Sequence, residues 1–94
     1  MHLNEQQTLE VTEMAKLFFT PREIAIFLKV NIEEFIACSK DESDPVYIAF
    51  VSGRLHTEYE LRKSILQLAT SGSSPAQTMM LELLKQLNLK MTDR

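Results

Sequence analysis

Few residues in this chain have the type and spacing that catalytic chemistry requires. Cys38 is the single cysteine, and the two histidines, His2 and His56, stand far apart. One thiol excludes an internal disulfide and any multi-cysteine zinc site. No metal and no cofactor are expected. Cys38 follows Phe35 at i, i+3, which places it on an inward helix face where a thiol packs and stays inert. His56 and Glu60 are i, i+4 and can pair at a surface, but a lone histidine is weak support for catalysis. Glu33 and Glu34 are neighbours, so on a helix they point about 100° apart. That is poor geometry for a carboxylate pair and better suited to capping and the helix dipole. There is no Gly-rich phosphate loop, no His-Glu-x-x-His and no Gly-x-Ser-x-Gly. What remains is binding rather than turnover, and an enzyme is not expected. The densest basic group is Arg54, His56, Arg62 and Lys63. It reads either as a phosphate-facing stripe or as a solvated face with Arg54–Glu58 and Glu58–Arg62 pairs at i, i+4.

Composition bounds what can position these groups. The chain has 94 residues, 45% apolar and 24% charged. That suits one folded domain over residues 1–94 and leaves no room for a separate catalytic lobe. Two glycines, three prolines and no tryptophan favour helices over a turn-rich sandwich or barrel. No apolar run is long enough to span a membrane, and no secretion signal opens the chain. A reducing, cytosolic compartment is the expectation. The net charge of −3 is unevenly shared. Residues 1–50 hold four basic and nine acidic side chains, and residues 51–94 hold six and four. Electrostatics alone therefore does not point to nucleic acid.

The pattern predicts an all-α chain of five helices. The first spans about Asn4 to Phe19, with Val11, Met14, Ala15 and Phe18 on one face. Thr20-Pro21-Arg22-Glu23 is a capping box with proline at the first helical position, and it opens a second helix to Leu28 or Lys29. Asn31-Ile32-Glu33-Glu34 repeats the cap-x-x-Glu logic and opens a third helix to about Ser39. Residues 40–44 read as a polar loop. Asp44 caps a fourth helix with Pro45 first, and no strong stop follows until Ser71-Gly72-Ser73. It covers about 26 residues, or roughly 40 Å. Gly53 inside it marks a bend or a close helix contact. Ser74-Pro75-Ala76-Gln77 reads as another capping box, opening a fifth helix to Leu89 or Met91.

Residues 21–40 are the most informative stretch. Two short helices joined by a tight turn form a helix-turn-helix, and the packing demands can be checked. Ile24 and Leu28 lie one turn apart, Ala25 is small at the closest approach, Val30 plugs the corner, and Phe35 and Cys38 face back. There are two departures. Lys29 occupies the position usually favoured for glycine and must accept a left-handed or altered turn geometry. Glu33 and Glu34 stand where side chains usually meet bases or phosphates; at best they accept from a cytosine amino group. The candidate DNA-binding residues are Asn31, Ala37, Ser39, Lys40, Arg54, Arg62 and Lys63. The bland reading is a helical corner in a small bundle.

Residues 45–91 form the second region, a long-helix antiparallel hairpin. Leu61, Ile65 and Leu68 continue an apolar stripe that the fifth helix mirrors. Two helices cannot cover all of this apolar surface, so self-association is expected through Leu61, Ile65, Leu68, Met80, Leu83 and Leu87. The alternative is that the first helix covers the stripe within one chain.

The order of these segments resembles a known family. A helix-turn-helix over Pro21 to Lys40 leads through Gly53-Arg54 into Thr57-Glu58-Tyr59-Glu60-Leu61-Arg62-Lys63-Ser64-Ile65. Ala69-Thr70-Ser71-Gly72-Ser73-Ser74-Pro75-Ala76-Gln77 follows. Over residues 18 to 90 this is similar to small terminase subunits of tailed bacteriophages. The resemblance implies a non-catalytic DNA-packaging protein of the bacterial cytoplasm, phage- or prophage-encoded. Such a protein recognises double-stranded DNA through the helix-turn-helix, assembles with itself into a ring through the hairpin, and serves a large terminase subunit. Residues 31–40 would then be the recognition helix. The alternative is an acidic helical protein–protein interaction module with no DNA role.

Overall fold

The computed structural model describes the backbone of residues 1–92 and the side-chain surroundings of residues 1–88. Among these it is all-helical, with no strand. The helices are α1 (Glu5–Lys16), α2 (Pro21–Leu28), α3 (Ile32–Ser39), α4 (Pro45–Thr70) and α5 (Ser74–Thr92). The side chains of Leu89 and Met91, expected to close the α5 stripe, lie outside the described residues.

Local chemistry explains the starts. Asn4 and Gln7 form a reciprocal capping box at α1, and Thr20 and Glu23 form one at α2 with Pro21 behind the cap. Asn31 accepts from the Glu34 amide at 2.8 Å to open α3. Asp44 accepts from the Val46 amide at 2.8 Å before α4. The α5 start differs from expectation by one residue. Ser73, not Ser74, is the cap: its carbonyl accepts from the Gln77 amide, and Pro75 is the second helical residue. The Gln77 side chain donates instead to the Ala69 carbonyl at 3.1 Å.

Three helices end in the same way. In each, an amide reaches back five residues and its predecessor reaches back three: Phe19 to Met14 and Phe18 to Ala15, Val30 to Ala25 and Lys29 to Ile26, Ser73 to Leu68 and Gly72 to Ala69. This paired closure requires a left-handed residue, usually glycine. Gly72 fills that place after α4 at φ 100°. Phe18 at φ 64° and Lys29 at φ 59° fill it after α1 and α2. A side chain costs roughly 1–2 kcal/mol in this conformation. The left-handed Phe18 is why α1 stops short of the predicted Phe19. Lys29→Gly is expected to raise stability by about 1 kcal/mol, an upward thermal shift of about 4–8 °C. Circular dichroism melting reads it directly.

The chain divides into two compact units, Met1–Glu58 and Tyr59–Arg94. The division falls inside α4 and not in the 40–44 loop, so α4 is one helix serving two packing environments. In the first unit, Val11 and Met14 of α1, Ile24 and Ala25 of α2, Phe35 of α3, and Val46 and Ala49 of α4 form one core. Leu28, Val30, Ile32, Cys38 and Phe50 pack around it. Phe18, predicted to continue the inward face of α1, is exposed because its backbone has left the helix. Gly53 is buried where α4 crosses α1; a Cβ there would strike the Thr12 carbonyl oxygen and lie 2.8 Å from Ala15 Cβ. The predicted close contact explains Gly53. In the second unit, Ala76 is buried and Met80, Leu83 and Leu87 are half-buried along one stripe of α5. Arg62, Ile65 and Ala69 form the corresponding half-buried stripe of α4.

Candidate functional site

The α2–α3 corner presents the most defined arrangement of polar and charged groups in the first unit. Its interior is apolar and tight: Ile24, Ala25 and Phe35 are fully buried. Lys29 turns the chain, and Val30 closes the corner as a half-buried plug. The exposed rim carries Lys29, Asn31, Glu33, Glu34, Ala37 and Lys40. Glu33, Ala37 and Lys40 share one helical face by their i, i+4, i+7 spacing. Glu34 lies 3.7 Å from the Met1 amine.

Of the residues read from sequence as one DNA-binding set, the structure separates several. Asn31 is exposed, but its side-chain oxygen is occupied as the α3 cap. Ala37 and Lys40 are exposed on α3 and at its end. Ser39 is a correction: only 7% of it is exposed, and its hydroxyl donates to the Ile36 carbonyl at 2.7 Å. It lies one turn after Phe35, on the core side, and cannot reach a ligand. Arg54 is engaged within the chain. It is half-buried, and its guanidinium lies between two rings, 4.7 Å from the Phe18 centroid and 4.8 Å from that of Phe50. Its Nη2 donates to the Phe19 carbonyl at 3.1 Å, while Nε is buried without a partner. Arg62 and Lys63 belong to the second unit. Arg62 is half-buried there, and Lys63 lies 3.8 Å from Glu60 and 5.0 Å from the Tyr59 ring centroid.

The self-association residues also divide. Ile65, Met80, Leu83 and Leu87 are half-buried on the inward stripes of the second unit. Leu61 and Leu68 are exposed beside them, as are Leu66, Met79, Leu81 and Leu84. The open apolar surface therefore lies on the flanks of the stripe rather than along its centre.

Two features escaped the sequence. Lys29 and Arg22 are exposed cations on or beside the corner; their place in the turn and the first turn of α2 could have drawn attention to both. Thr57 donates to the Lys16 carbonyl at 2.6 Å, satisfying the end of α1 from α4. Only the tertiary crossing at Gly53 creates that contact.

Cys38 is half-buried. Burial pushes its thiol up, and hydrogen bonding to Asp44 and the charge of Asp44 act in the same direction. The Met1 amine, 4.0 Å from the sulfur, acts the other way, and the net direction is up. Ser43 donates to Asp41 from both hydroxyl and amide, which holds that carboxyl below its usual range. Among the described residues, no three His, Cys, Asp or Glu side chains are grouped to hold a metal ion. No helix of the described residues is long and apolar enough to cross a membrane.

The chain matches no family model, and neither curated proteins nor solved structures show significant similarity to it.

Proposed function

We propose that this chain is a non-catalytic DNA-binding protein of the small terminase type. In this reading α2 and α3 are a helix-turn-helix, and α3 is the recognition helix. The second unit is an antiparallel hairpin through which the protein assembles with itself, for DNA packaging beside a large terminase subunit. The setting is a bacterial cytoplasm, with a phage or prophage origin. The observation that carries the reading is the corner itself. Two eight-residue helices meet through a left-handed Lys29 and a Val30 plug, with Ile24, Ala25 and Phe35 sealed between them. That packing supports the reading, and Glu33, Ala37 and Lys40 are exposed on the outer side of α3.

The revised contact set is Lys29, Asn31, Ala37 and Lys40, with Arg22 nearby in sequence at the start of α2. Lys63 and Arg62 remain candidates on the second unit. Glu33 and Glu34 repel phosphate, so sequence-independent affinity rests on the exposed cations Arg22, Lys29 and Lys40. The revised assembly surface is Leu61 and Leu68 with Leu66, Met79, Leu81 and Leu84. A single neighbouring helix cannot cover both flanks of the half-buried stripes.

The test is fluorescence anisotropy of a labelled random duplex at low salt and near 0.2 M. Binding should weaken steeply with salt, and Lys40→Ala should reduce the slope of log K against log salt by about 1. Absence of binding at ~100 μM protein and low salt would remove general DNA affinity. A second reading, a protein-interaction module, is favoured by exposed Ile26 and Phe27 on α2 beside the acidic α3 start. Salt-insensitive association with a protein and none with DNA would select it.

A further inference from the structure

We propose that the outer face of α4 is a seam for a second copy of this chain, which packs on it antiparallel. This contact goes beyond the hairpin surface described above and shares only Leu66 with it. The helix is continuous from Pro45 to Thr70. In its first half the core side is set by Val46, Ala49 and Gly53, all buried. At about 100° per residue, Ile48, Ser52, Leu55 and Tyr59 fall on the opposite side, and Arg62 and Leu66 continue the line. Ile48, Leu55, Tyr59 and Leu66 are between 48% and 59% exposed. A helix with large apolar residues on both sides is ordinarily covered on both. Steps of 4, 3, 4, 3 and 4 residues along the line are those of a coiled-coil seam, here roughly 27 Å long. Other exposed apolar residues, such as Leu17, Ile26 and Phe27, show no such repeat.

The order of the side chains identifies the occupant. Any line with this spacing superposes on itself when reversed, but its chemistry need not. Here the chemistry matches too. Reversal about Thr57 sets Ile48 on the partner's Leu66, Leu55 on the partner's Tyr59, and Ser52 on the partner's Arg62. Each apolar residue meets an apolar or aromatic one, and the two polar members meet each other. A parallel copy would instead bring Arg62 against the partner's Arg62, a like-charge contact inside the seam. A surface complementary to its own reverse is what a two-fold dimer requires, and a different partner makes no such demand.

Two experiments on the full chain test this. In the first, Ile48→Cys and Leu66→Cys chains are mixed in equal amounts and oxidised. The disulfides are located by mass spectrometry, so that native Cys38 is told apart. Both positions are exposed, so neither change disturbs the core. The heterodisulfide between positions 48 and 66 should dominate. Disulfides between identical chains, or the statistical mixture of random collision, would overturn the seam. The second experiment is sedimentation equilibrium of wild type, Leu55→Glu and Leu68→Glu. Leu55 lies outside the hairpin surface and Leu68 outside the seam. Leu55→Glu should weaken self-association ~10-fold or more. Weakening by Leu68→Glu but not by Leu55→Glu would overturn the seam and leave hairpin assembly standing. Weakening by Leu55→Glu alone would keep the seam and remove hairpin assembly. A wild type that stays monomeric would overturn both. If Leu55→Glu does not fold, the disulfide pattern decides by itself.

Discussion

Phe35→Ala should lower the stability of the first unit by about 3–5 kcal/mol, a large share of the about 5–15 kcal/mol that holds a typical domain folded. Phe35 is the largest fully buried side chain and the one residue α3 inserts completely into the core. Around it stand Val11 and Met14 of α1, Ile24 and Ala25 of α2, and Val46 and Ala49 of α4. The hole left by truncation is walled by three helices that carry their own buried anchors, so it cannot collapse. Phe35→Leu preserves most of the volume and should cost about 1–1.5 kcal/mol. Urea unfolding followed by circular dichroism measures both. A loss below about 1 kcal/mol for the alanine variant would mean that α3 is not packed as described.

The second large effect is expected at Gly53. Alanine there improves helix propensity by up to about 1 kcal/mol, so a solvent-facing site would be stabilised. At Gly53 the sign reverses. The new Cβ meets the Thr12 carbonyl oxygen, Ala15 Cβ at 2.8 Å and the Lys16 amide nitrogen at 3.2 Å. Two of these are backbone atoms of α1 and cannot rotate away. The helices must separate, which disturbs the Thr57 bond to Lys16 and the Arg54 bond to Phe19 on the same crossing. Gly53→Ala should cost a net ~2 kcal/mol, and Gly53→Val more than 3 kcal/mol. On a 60–100-residue scale the alanine loss corresponds to a melting shift of about 8–16 °C. Gly72→Ala is a useful contrast. Nothing surrounds its Cβ position, so only the left-handed backbone at φ 100° is penalised.

Those two residues show what a sequence makes legible. Thr20-Pro21-x-Glu23, Asn31 and Asp44-Pro45 announce helix starts because the cap and its receiving amide are close in sequence. The boundaries of α2, α3 and α4 follow from them. The inward faces of α2 and α3 were legible from periodicity, and so was an unusual turn at Lys29; that it is left-handed came from the structure. The end of α1 was not. Its left-handed residue is a phenylalanine, which has no intrinsic preference for that conformation and is held by a tertiary contact from α4. The intramolecular contacts of Arg54 were hidden for the same reason: a basic residue in a basic stretch reads as a ligand contact, and the two rings beside it come from distant positions. Ser39 is different. It stands four residues after Phe35, so the helical period already placed it inward, and its polarity should have weighed less. The stripe on the second unit was readable as apolar. Which of its members face inward depends on the half-buried set Arg62, Ile65 and Ala69, and the alternation of Leu61 and Leu68 around Ile65 does not reveal that.

The central claim is that the outer face of the α2–α3 corner receives duplex DNA. Lysine footprinting tests it most directly: the full chain is acetylated briefly with and without a 30-base-pair duplex at low salt, and each amine is quantified by mass spectrometry. Lys29 and Lys40 are exposed at the corner, and Lys85 is exposed on the second unit as an internal comparison. The duplex should slow modification of Lys29 and Lys40 several-fold and leave Lys85 unchanged. Equal modification of Lys29 and Lys40 with and without duplex would contradict DNA recognition by this corner, and would leave the exposed apolar residues of α2 to a protein partner.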